Sequence, residues 1–183
     1  MGSWIVGRWL AFICLLAVSA APAFAQNPET SPARAQSVLF AAGGDLHDDD
    51  LDLYEFLYTR NIDSWDWGIG ERTRLSTRLW LSLGVVDQAT GDAAYGTVGP
   101  IFYIHRNGHA YFNFGIRLTV LSDDIIGSLD FGGPVQFTSL IGAGYWFDNG
   151  WEIGLRMQHT SNARLYEPNP DINFFTLQAG YGF

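Results

Sequence analysis

Within Met157-Gln158-His159-Thr160-Ser161-Asn162, a basic imidazole and a hydroxyl stand two residues apart. If the segment is a strand, alternate residues share a face. His159 and Ser161 then join Trp151, Ile153, Leu155 and Met157, while Glu152, Arg156, Gln158 and Thr160 turn the other way. The pair therefore ends an otherwise apolar stripe. A histidine beside a serine, with a third group to orient the ring, is the arrangement of nucleophilic acyl transfer: the imidazole takes the hydroxyl proton and the oxygen attacks an ester carbonyl.

The elements that must hold this pair have a period of two. From Leu75 to Val85 the odd positions are Leu75, Thr77, Leu79, Leu81, Leu83 and Val85, and the even positions include Ser76, Arg78 and Ser82. Phe112, Phe114, Ile116, Leu118 and Val120 likewise alternate with Asn113, Gly115, Arg117 and Thr119. Such alternation marks strands with one apolar face, but it fits a soluble sandwich as well as a membrane barrel. Three further features select the barrel. Arg8, the apolar run Leu10 to Val18 and Ala23-Phe24-Ala25 form a secretory signal, predicting cleavage after residue 25 and a single domain over 26–183, with a short leader at 26–35. Aromatics make up 15% of the chain, many of them at strand ends. The final alternating segment, Leu177 to Phe183, ends on an aromatic, which resembles the closing strand of outer-membrane barrels.

The fold class expected is all-β: an eight-stranded antiparallel transmembrane β-barrel of the bacterial outer membrane. The roughly 158 residues after the signal (183 less 25) hold eight strands with their loops, not sixteen. Strands are predicted at 36–46, 51–60, 73–86, 94–105, 110–121, 135–147, 151–161 and 172–183, with 61–72 the least legible stretch. Asp148-Asn149-Gly150 and Arg106-Asn107-Gly108-His109 read as Asn-Gly hairpin turns with both central residues at positive φ. They fall on one side of the sheet, and the longer connections 122–134 and 162–171 fall on the other, which is external by the loop-length rule. His159 and Ser161 then lie near the external rim, and Asn173 on the returning strand shares their outward parity.

Eight strands enclose a lumen filled by side chains, so conduction is not expected. Arg74, Arg78, Arg117, Arg156 and Glu152 are predicted to point inward and pair there. The chain carries 19 acidic residues against 10 basic ones, a net charge of −9, which argues against nucleic acid as a partner. Its one cysteine, Cys14, lies in the signal, so no disulfide framework is expected. His47 beside Asp48-Asp49-Asp50 is read as a solvated acidic loop, with neither metal nor cofactor expected.

His159-Thr160-Ser161-Asn162-Ala163, followed by Pro168-Asn169-Pro170 and a C-terminal strand, resembles the signature of the outer-membrane lipid A 3-O-deacylases, the PagL-type acyloxyacyl hydrolase family. The resemblance implies Ser161 as nucleophile and His159 as base. The implied enzyme releases the 3-position hydroxyacyl chain of lipid A in lipopolysaccharide, from a site on the lipid-facing wall. The alternative is a non-catalytic barrel, structural or adhesive, that has lost its acid. Two positions depart from the family pattern. Its orienting glutamate corresponds by spacing to Asn173, with Glu167 and Asp171 as alternative carboxylates, and Arg164 stands where glycine is common. The backbone N–H of Asn162 is the candidate oxyanion donor. Association of two barrels as a homodimer is left open.

Overall fold

The computed structural model describes residues 33–46, 50–69, 73–106 and 109–183. The expected signal segment 1–25 with Cys14, most of the leader, His47 to Asp49 and the Asn107-Gly108 turn lie outside the described residues. Eight long strands form the body: β1 (Gln36–Asp45), β2 (Asp52–Asn61), β3 (Thr73–Gln88), β4 (Gly91–Arg106), β5 (Ala110–Leu121), β6 (Val135–Trp146), β7 (Trp151–Ser161) and β8 (Ile172–Gly182). Each pairs antiparallel with its neighbours in sequence, and β1 pairs with β8 from Ser37↔Gly182 to Asp45↔Phe174, so the sheet closes on itself. The expected eight-stranded barrel is the fold.

Period two in the sequence becomes inside and outside in the barrel. Leu177 is 63% exposed and its neighbour Gln178 only 5%. Ile116, Leu83 and Ile141 show the same outward exposure, while Arg117, Arg156 and Gln158 are buried. An outer wall of bare aliphatic side chains around a polar interior has lipid as its natural solvent. Closure also constrains backbone volume. A Cβ on Gly43 would lie 1.9 Å from Phe175 O, so only glycine lets β1 approach β8 there.

The lumen is layered. At its middle, Glu55 is fully buried and accepts from Arg117 Nη1 at 2.7 Å, from Ser82 Oγ at 2.5 Å and from Arg156 Nη2. Arg78 pairs with Glu152 at 3.6 Å lower down. Above this layer, Leu51, Leu53, Tyr95, Ile126, Phe131 and Phe174 form an apolar plug under the 122–134 loop. The interior is therefore not polar throughout. Arg74 also departs from expectation: it has inward parity but is exposed at the opposite mouth, where β3 begins.

Three connections differ from those expected. β3 and β4 extend to Gln88↔Gly91 and join through Ala89-Thr90 alone, making a two-residue turn at the external end. The 62–69 segment contains a 3-10 turn (Asp63–Trp65) and a short strand, Trp67–Ile69, that pairs with Thr73 to Leu75, so a long connection sits at the end otherwise closed by short turns. At Asp148-Asn149-Gly150 only Gly150 has positive φ, at 90°, and Phe147 N donates to Trp151 O at 2.8 Å. This is the three-residue hairpin form, in which the glycine alone takes the left-handed position.

Candidate active site

β7 carries the candidate pair to the external end of the outer wall. Trp151, Ile153, Leu155 and Met157 are exposed; His159 and Ser161, next in the same row, are half-buried. The intervening Gln158 and Thr160 are buried in the lumen, so the strand keeps its alternation up to the rim.

β8 brings the third residue. His159 and Asn173 are direct partners across the ladder, and His159 Nδ1 lies 3.0 Å from Asn173 Oδ1. Both main-chain groups of Asn173 are turned toward β1: its N–H donates to Asp45 Oδ1 at 3.2 Å, and its carbonyl accepts from Leu46 N at 2.7 Å. On the β7 side the pair is thus the non-hydrogen-bonded kind, in which strands and side chains come closer, and a short amide reaches the imidazole. With the amide oxygen facing Nδ1, the bond requires the Nδ1–H tautomer, and Nε2 is left as the basic nitrogen. Glu167 and Asp171 are exposed, and neither hydrogen-bonds to His159 among the described residues.

The loop after Ser161 is tied down by asparagines. Asn162 is fully buried; its Nδ2 donates to Phe131 O at 3.0 Å and to Pro168 O at 2.9 Å, clamping the 162–171 loop to the lumen cap. Its backbone N–H donates to Asn169 Oδ1 at 2.9 Å. The expected oxyanion donor is therefore already committed. The same bond sets the Asn169 amide, with its two Nδ2 hydrogens, one hydrogen bond away from the residue following Ser161. Asn169 was legible only as part of Pro168-Asn169-Pro170, and nothing in that spacing discloses which way its side chain turns.

Beside His159 and Asn173 a cavity of about 280 Å³ opens on the outer wall, lined by Leu46, Ser139, Ile141 and Met157 among others. Ser139 on β6 faces His159 across the other ladder and was not singled out by sequence. Imidazole and amide thus share an apolar-walled patch that Ser161 does not line, with no set of three metal-ligating side chains among the described residues.

A closed eight-stranded barrel with an apolar outer wall belongs to the class of small outer-membrane β-barrels; on this one His159 and Asn173 are joined, Ser161 follows two residues on in the same row, and among the described residues no hydrogen bond links Ser161 to His159. The family model for lipid A 3-O-deacylase (PagL) matches residues 53–182, and the chain belongs to that family. Among its relatives, the lipid A deacylase PagL of Pseudomonas aeruginosa is 30% identical over 123 residues, covering 62% of this chain and 71% of that protein. The lipid A deacylase PagL of Bordetella bronchiseptica is 30% identical over 119 residues, covering 64% and 66%. The crystal structure of the outer membrane enzyme PagL shares the fold, with a TM-score of 0.73 over 80% of this chain and 99% of its own, at 23% identity.

Proposed function

We propose that the protein is a serine esterase of the outer membrane that hydrolyses the 3-position hydroxyacyl ester of lipid A from the barrel wall. The observation that carries this reading is the His159–Asn173 bond two residues from Ser161 on the lipid-facing row. Ser161 Oγ attacks the ester carbonyl as its proton passes to His159 Nε2. The tetrahedral intermediate collapses with cleavage of the bond to the sugar oxygen, which leaves with that proton as the free 3-hydroxyl. Water, deprotonated by the same nitrogen, then attacks the acyl-serine and releases the 3-hydroxy acid. The Asn169 amide supplies an N–H donor toward the oxyanion in place of the committed Asn162 N–H. Asn173 holds the ring in its working tautomer. Substrate enters sideways from the outer leaflet, its acyl chain lying along Met157 and Ile141.

The test is expression in a lipid-A-producing host with mass spectrometry of the lipid A. Loss of one 3-hydroxyacyl chain is expected from the wild-type protein and not from Ser161→Ala. The presence of an amide where a carboxylate would serve better favours a second reading, an inert barrel. Unchanged lipid A with folded wild-type protein would establish it.

A further inference from the structure

We infer that Arg164 is a phosphate-reading residue that selects phosphorylated lipid A; the inference rests on the deacylase reading for its substrate class. Two independent features single out this side chain. The first is its backbone. Asn162 to Leu165 is a reverse turn closed by Leu165 N donating to Asn162 O at 3.0 Å, with Ala163 at φ 52° and Arg164 at φ 65°. Both central residues are left-handed, a conformation that suits glycine and disfavours side chains. The buried Asn162 clamp holds the turn closed, so an arginine is kept where glycine would sit with less strain.

The second feature is charge. Arg34, Arg60, Arg74 and Arg106 lie at the opposite end of the barrel, and Arg78, Arg117 and Arg156 are buried in the lumen. Among the described residues Arg164 is the sole arginine or lysine at the external end. The loops and strand ends around it carry acids, including Asp87, Asp92, Asp123, Asp124, Glu167 and Asp171. Yet among the described residues Arg164 forms no ion pair and is exposed. An acidic rim repels the phosphates of a lipid headgroup, so a single unpaired guanidinium three residues from Ser161 gives them one landing place. A guanidinium also matches a phosphate monoester with two parallel N–H donors. Fixing one phosphate there would fix which ester meets Ser161.

Binding is measured in detergent micelles with EDTA, on the Ser161→Ala background so that turnover plays no part. The probes are bisphosphorylated lipid A and the same lipid stripped of phosphate. Arg164→Gln is expected to weaken binding of the phosphorylated lipid about tenfold and leave the stripped lipid unchanged. Arg164→Lys should recover part of the loss. Arg164→Gly relaxes the turn, and it should show the same phosphate-specific loss with the fold intact. Equal affinity for both lipids in every variant, or an equal loss on both, would overturn the inference. Inorganic phosphate at constant ionic strength should displace nothing; displacement that vanishes in Arg164→Gln would assign a general anion site instead. Absence of deacylation by the wild-type protein refutes the esterase, whereas the phosphate-dependent difference in binding stands or falls by itself.

Discussion

Replacing Asn173 by aspartate should speed the enzyme. The two side chains are nearly isosteric, so the 3.0 Å contact to His159 Nδ1 is retained while a negative charge is added beside the imidazolium that forms during attack. Two unit charges about 4 Å apart attract by about 1 kcal/mol in water and about 4 kcal/mol at an effective dielectric of 20. His159 and Asn173 are half-buried, which places the gain near 2 kcal/mol, or about thirtyfold in rate. Asp45, whose carboxylate accepts from the Asn173 backbone N–H, opposes the new charge and pulls the expectation toward about tenfold. Asn173→Ala removes only a neutral hydrogen bond of about 1 kcal/mol, a decline of about fivefold. The assay is release of 3-hydroxy fatty acid from lipid A in detergent micelles, with folded protein verified by its heat-modifiable gel mobility. An aspartate variant that is folded but no faster than wild type refutes the orienting role of residue 173. Loss of activity in Glu167→Gln or Asp171→Asn would move that role to the carboxylate concerned.

Removal of Asn169 tests the oxyanion donor. Asn169→Ala should lower kcat by roughly tenfold or more with KM little changed, and a KM effect alone would reduce Asn169 to a loop tether. At the centre of the lumen, Glu55→Ala strips Arg117 and Arg156 of their shared carboxylate and leaves two buried guanidinium groups short of a partner. A cost of about 3–5 kcal/mol is expected, read as a lower urea midpoint for the folded band; an unchanged midpoint would mean that water replaces the carboxylate.

The strands were legible because lipid outside and polar groups inside impose the same alternation at every level of the wall. Seven of the eight predicted cores lie within two residues of the observed ends, and β4 starts three residues earlier than its apolar alternation. There Gly91 to Ala93 continue the ladder opposite Val86 to Gln88, and pairing, not hydrophobicity, extends the strand. The apolar plug was not legible. Leu51, Leu53 and Phe174 have inward parity, but they are interpretable only once Ile126 and Phe131 fold back over them, and that contact depends on a loop. Glu55 was missed for a related reason: it lies on β2, far in sequence from Arg117 and Arg156, and only closure brings the three together. In the candidate site, parity alone placed His159, Ser161 and Asn173 on one patch. The path of the 162–171 loop, with Asn169 taking the Asn162 N–H, depends on side-chain hydrogen bonds that no periodicity encodes.

The filled lumen decides where chemistry on this barrel can occur. With Glu55, Arg117 and Arg156 packed at mid-height and an apolar plug above, the described lumen is filled there by side chains, which favours the rim and the wall for ligand chemistry. A wall site in mid-membrane would lack the water needed to resolve an acyl-serine, and a site on the loops would be out of reach of an acyl ester held in the leaflet. The last two outward positions of β7, where the proposal puts the chemistry, would satisfy both demands. Below them lie the apolar side chains of Met157 and Ile141, where the proposed acyl chain would rest, and beyond them is the clamped turn that carries Arg164, which on the same reading would meet the headgroups. In the proposed reaction the end of the apolar stripe is thus where ester, water and phosphate would meet on one strand.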